Sequence, residues 1–148
     1  MGKIQLYKLL PENFYARVSI VLLINMLLGL FLGGGLTAFL GFAVFFHMLI
    51  TIGEIEKYNF LKVAFFCCFA LLLNDALFVR TLGFGMHDAK GRGAVNLAYI
   101  LSFISLSLGL IILVIRKKRL SYFVITIALL AITLSITYMY DQAMLNDL

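Results

Sequence analysis

Residues 18–52 contain no Asp, Glu, Lys or Arg. So long an uncharged apolar run cannot be a single membrane crossing. As one helix it would reach about 50 Å at 1.5 Å per residue, against a hydrocarbon core of about 30 Å. Gly33, Gly34 and Gly35 sit at its middle. Consecutive glycines accept positive φ and are the cheapest place to reverse a chain. The run is therefore expected to form two short spans, 16–33 and 35–52, joined by a tight turn.

Three further apolar stretches follow, at 59–79, 94–115 and 120–140, each close to the length of one crossing. Apolar residues make up 64% of the chain and charged residues 13%, where a soluble domain has roughly 45–50% and about 25%. A soluble core in a chain of 148 residues cannot hide that excess, because surface still dominates at this size. The expected fold is an all-α integral membrane protein, one polytopic helical-bundle domain over residues 1–148. Five transmembrane helices are preferred and four are the alternative.

Charge placement favours five. With the N-terminus cytoplasmic, Lys3, Lys8, Arg17, Lys57, Lys62 and Arg116, Lys117, Lys118 and Arg119 lie inside. Only Arg80, Lys90 and Arg92 lie outside. Basic residues concentrate on the cytoplasmic side of membrane proteins. A four-span chain would move Lys3, Lys8 and Arg17 across and erase the bias. The basic residues then serve as orientation signals and contacts for anionic lipid, so the net charge of +5 does not point to nucleic acid. Short loops and small size suggest a bacterial inner membrane. Residues 1–17 and 18–32 have the charge pattern of a secretory signal, but no small-residue cleavage site follows, and retention is expected. Pro11 and Glu12 suit a first helical turn.

Small residues at helical spacing mark packing faces in lipid. Asn25, Gly29 and Gly33 fall four apart, and Gly34, Ala38 and Gly41 offer a matching face, so the first two spans are expected to pack as a close hairpin. Ala98, Ser102, Ser105 and Gly109 form a third face. Two stripes share the last span, Ala128–Ala131–Ser135 and Thr126–Thr133–Thr137. Adjacent Cys67 and Cys68 point in different directions on a helix, so they read as packing residues rather than a disulfide.

Two polar mouths are candidate sites. Asp75 follows Asn74 near the end of the third span, and an ionisable group there normally faces protein or a water cavity. By helical spacing it shares a face with Ala64 and Cys68. Arg80, His87, Asp88 and Arg92 follow in a glycine-bearing connection over 80–93. Backbone amides there could approach an anion, a headgroup or a proton donor. At the other mouth His47, Thr51 and Glu54 fall at i, i+4 and i+7, and imidazole titrates near neutrality. The bland readings are ion pairing within a solvated connector and a histidine hydrogen-bonded between helices. The sequence shows no P-loop, dinucleotide fingerprint, zinc-protease motif or paired carboxylates. Neither a metal nor a cofactor is expected.

The function expected from this combination is that of a non-enzymatic membrane component. It would act as a subunit, assembly factor or immunity or exclusion factor, binding the bilayer and another membrane protein or itself. The alternative is a small oligomeric transporter or channel using Asp75, His47 and Glu54, and a third reading is a lipid-modifying enzyme at the His87–Asp88 mouth. Topology reporters fused after Phe14 and after Glu56 should report the same side of the membrane. Opposite sides would mean four spans.

Overall fold

Helix starts at one end of the molecule are set by asparagine caps. In the computed structural model of the protein, the Asn13 side-chain oxygen accepts from the Tyr15 N–H at 2.9 Å. The Asn59 oxygen accepts in the same way from Leu61 and Lys62. Each cap satisfies amides that have no partner in a first helical turn. The Phe14 N–H is taken by the Tyr58 hydroxyl at 3.2 Å, which ties the two starts together. The structure describes the backbone of residues 13–32, 34–82 and 89–146. Side chains are described for 13–28, 41–76, 93, 95–140 and 142.

Among these residues the fold is all-helical. The helices are α1 (Phe14–Leu32), α2 (Gly34–Ile50), a one-turn α3 (Ile52–Ile55), α4 (Phe60–Leu82), α5 (Ala89–Lys117) and α6 (Leu120–Asn146). The uncharged run thus forms two helices. Their outer ends meet, because Arg17 before the run is ion-paired to Glu54 after it at 2.8 Å.

Element limits depart from expectation in four places. Pro11 and Glu12 lie outside the described residues, and α1 starts after Asn13. The second apolar stretch breaks at Thr51, whose φ of −91° and ψ of 19° leave the helical region. The expected glycine connection over 80–93 is shorter, since α4 runs on to Leu82 and α5 already starts at Ala89, taking Gly91 and Gly93 into the helix. Gly83 and Gly85 lie outside the described residues. α6 continues past Tyr140 to Asn146. Hydropathy marks where the apolar stretch ends, but a helix can continue into polar surroundings as long as its amides stay paired.

α2 packs most extensively on α5, and α4 joins α1, α5 and α6. The buried cluster includes Phe45 and Met48 of α2, Val63, Cys67 and Leu71 of α4, and Leu106, Leu110 and Leu113 of α5. Ser105 and Gly109 border one small cavity together with Met48, which puts the small-residue face of α5 at its closest helix neighbour. On α6 the two stripes separate. Thr126, Thr133 and Thr137 are buried, whereas Ala128, Ala131 and Ser135 are exposed.

The distribution of polarity is the reverse of a water-soluble protein. Buried polar residues include Asn25, Asp75, Ser102, Ser105, Thr126, Thr133 and Thr137, while Leu120, Met139, Ile50, Ile115, Val124 and Phe69 stand among many exposed large apolar side chains. Two helices, Val95–Lys117 and Leu120–Tyr140, are long and apolar enough to cross a membrane. They are only 39% and 22% buried, unlike a core helix of a soluble domain.

Close packing is uneven. A Cβ built on Gly41 would lie 2.6 Å from Asn74 Nδ2, while one on Gly109 would meet nothing within 4 Å. Gly41→Ala should therefore cost about 1–3 kcal/mol through overpacking. Gly109→Ala should be neutral or stabilise by up to about 1 kcal/mol through helix propensity. Unfolding midpoints of both variants in mild detergent check this contrast.

Candidate functional site

The chain reversals gather charge at one end. Arg17 and Glu54 form one pair. Arg116 and Glu56 form the second, at 3.1 Å, and Lys117 Nζ donates to the Glu56 carbonyl at 2.7 Å. Lys57 and Lys62 follow in the α3–α4 turn and the first turn of α4, and Lys118 and Arg119 form the α5–α6 turn. Among the described residues, both carboxylates at this end are thus engaged, and basic side chains are in excess. An aromatic group of Phe14, Tyr15, Tyr58 and Phe66, with ring centroids 5.0–6.2 Å apart, lies under the charged layer. Phe60 stacks on Tyr122 at 4.5 Å and joins α4 to α6.

His47 and Glu54 do not act as a pair. The Thr51 hydroxyl donates to the His47 carbonyl at 3.0 Å, and the Glu54 carboxylate is committed to Arg17. The break at Thr51 removes the continuous helix on which the i, i+7 spacing relied. His47 instead lines a cleft between α1 and α2.

That cleft has a volume of about 290 Å³. Its walls are Phe14, Val18, Val21, Ile24 and Leu28 of α1 with Ala43, Val44 and Met48 of α2. Arg17 and Thr51 lie toward the charged end, and His47 and Asn25 line it further along. α1 and α2 are therefore splayed along this half rather than closely packed. The half nearer the turn, with Gly29, Gly34 and Ala38, has side-chain surroundings outside the described set, and Gly33 lies outside the described residues altogether.

Asn25 and Asn74 connect α1 and α4. Asn25 Nδ2 donates to Asn74 Oδ1 at 3.1 Å, and Asn74 lies against Gly41 of α2. The buried Asn25 Oδ1 accepts no hydrogen bond among the described residues. α1 and α2 do pack on each other, and the described close approach at Gly41 is to Asn74 of α4.

Asp75 turns inward, 7% exposed, and Ala64 and Cys68 are buried as well. It lines a water-sized polar cavity with Asn74, Tyr99 and Ser102. The Ser102 hydroxyl donates to the Ala98 carbonyl at 2.7 Å. Thr137 donates to the Thr133 carbonyl, so in the 2.8 Å contact between Tyr99 and Thr137 the tyrosine hydroxyl is the donor. Arg80 and Arg92 lie in α4 and α5, with side chains outside the described set, and His87 and Asp88 lie outside the described residues. No group of three or more His, Cys, Asp or Glu able to hold a metal occurs among the described residues.

Sequence reasoning did not single out Tyr99, Glu56 or the Arg17–Glu54 pair. The pair had a signal. Counted outward from the central glycines, Arg17 and Glu54 are nearly equidistant, so a hairpin must bring them to the same end.

Fold and site together define a class: among the described residues, an all-helical protein with two helices of membrane-crossing length, many exposed apolar side chains and a cluster of charge at one end. Comparisons with protein-family models, with curated proteins and with solved structures give no match.

Arg17 holds the Glu54 carboxyl below its usual range, by its hydrogen bond first and its charge second. A carboxylate whose folded-state pKa is depressed stabilises the fold above its unfolded value and loses that effect as pH falls through the folded one. Glu54→Gln should therefore lower the unfolding midpoint at neutral pH, and the difference from the parent should vanish on acidification below the ordinary carboxylate range. A difference unchanged down to about pH 2, below the value a strongly paired carboxyl reaches, would contradict the assignment.

Proposed function

We propose that this chain is a multi-pass membrane protein in which α1, α2, α4, α5 and α6 each cross the bilayer. The N-terminus and the basic end face the cytoplasm of a bacterial inner membrane. It works as a non-catalytic component of a membrane assembly, a subunit, assembly factor or immunity or exclusion factor. The observation that carries this reading is the two-sided character of α6. Its threonine stripe is spent on internal packing, while Ala128, Ala131 and Ser135 face outward on the least buried of the membrane-length helices. Small residues on a lipid-exposed face let a second helix approach closely. The Ser135 hydroxyl bonds to the Ala131 carbonyl at 2.9 Å and so does not obstruct the approach. The gathering of basic residues at the α1, α3–α4 and α5–α6 ends supports the orientation.

The transport reading draws less support. Between the Asp75 cavity and the charged end, the interior is filled by Phe45, Val63, Leu71, Leu106 and Leu110, all essentially fully buried. The buried polar side chains described in that stretch are the hydroxyls of Ser105, Thr126 and Thr133, and those of Thr126 and Thr133 are spent on carbonyls of their own helix.

Purified in a gentle detergent, the protein should migrate with a membrane partner. Replacing Ala128 and Ala131 together with leucine should dissociate that complex while leaving membrane insertion intact. A lone monomer, or a complex indifferent to the double replacement, would overturn the proposal.

A further inference from the structure

We propose that the α1–α2 cleft holds one acyl chain of an anionic phospholipid from the leaflet at the basic end. This inference rests on the membrane assignment above.

The shape of the cleft suits the occupant. From Val18 to Leu28 its apolar wall on α1 runs about 15 Å at 1.5 Å per residue. That is half of a hydrocarbon core about 30 Å thick, the depth of a single leaflet. Its walls suit an acyl chain. Val21, Ile24 and Leu28 of α1 and Ala43 and Val44 of α2 line it, and its polar lining is limited to Arg17, Asn25, His47 and Thr51. Ile24 and Ala43 are exposed, which leaves a side opening through which a chain can enter from the bilayer.

The mouth selects the headgroup. Arg17 lies at it, paired to Glu54. Lys57, Lys62, Lys117, Lys118 and Arg119 belong to the same end, and its described glutamates, Glu54 and Glu56, are already ion-paired to arginines. A headgroup anchored at the top of this cleft therefore sits in a positive field, which favours an anionic phosphodiester over a zwitterionic headgroup. The ion pair between Arg17 and Glu54 also holds the mouth in shape by fixing the start of α1 to α3.

The test uses the full chain, delipidated in a neutral detergent, and phosphatidylglycerol carrying a photoreactive group midway along one acyl chain. Adducts should map to residues 18–28 of α1 and 43–48 of α2. Unlabelled phosphatidylglycerol should compete at a concentration at least about fivefold lower than phosphatidylcholine, the preference expected from one basic contact. Ala43→Phe should remove the adducts. Replacing Lys57, Lys118 and Arg119 together with glutamine should keep them and reduce the headgroup preference. Adducts spread equally over the outward faces of α5 and α6, or equal competition by the two lipids, would overturn the inference. Failure of the membrane assignment would look different, as a chain that stays monodisperse in buffer without detergent.

Discussion

Away from the charged end, the described outer surface of this molecule is dominated by apolar side chains, and the arrangement of its polar groups follows from that constraint. A hydroxyl or amide left unpaired against an apolar exterior costs more than it would in water. The serines and threonines respond locally. Ser102, Ser107, Thr126, Thr133, Ser135 and Thr137 each return their proton to the carbonyl one turn earlier. Groups that cannot do so, the carboxamides of Asn25 and Asn74 and the carboxyl of Asp75, turn toward neighbouring helices. The interior of the bundle is thus where its polarity is collected, and helix pairing follows the positions of those few groups.

Interhelical contact then divides into two kinds. At the charged end, long side chains, aromatic rings and asparagine caps fix the helix starts relative to one another. In the middle, buried apolar side chains set the spacing, with Phe45 and Met48 of α2 beside Leu106 and Leu110 of α5 as one example. At Gly41 a polar side chain, that of Asn74, rather than a helix backbone fills the space that the glycine leaves. The cleft between α1 and α2 lies beside these contacts, with Val18 and Val44 of its lining buried in the core and Ile24 and Ala43 exposed.

Much of this was legible in the residues. The uncharged run and its three glycines dictated a reversal, and the five apolar stretches anticipate five long helices. Asp75 could be turned inward by its spacing from Ala64 and Cys68. Other features were hidden for physical reasons. The helical limits beyond Val79, before Ala94 and past Tyr140 lie in polar sequence, where hydropathy carries no signal. The two stripes of α6 are equally regular as sequence, and only packing decides that threonines turn in and alanines out. The i, i+7 alignment of His47 and Glu54 assumed an unbroken helix, and nothing in the composition at Thr51 announces the break. The partner of Gly41 is likewise a tertiary fact, because small-residue spacing says that a surface is approachable and not which element approaches.

The two cysteines carry a practical consequence. Cys67 and Cys68 are the only thiols in the chain, and both are free and buried in the middle of α4. That helix touches α1, α2, α5 and α6, so a reagent can reach its sulfurs only when the bundle opens. The rate at which a maleimide modifies the unaltered protein is therefore a built-in clock for that opening, read without adding a label site or removing a native residue.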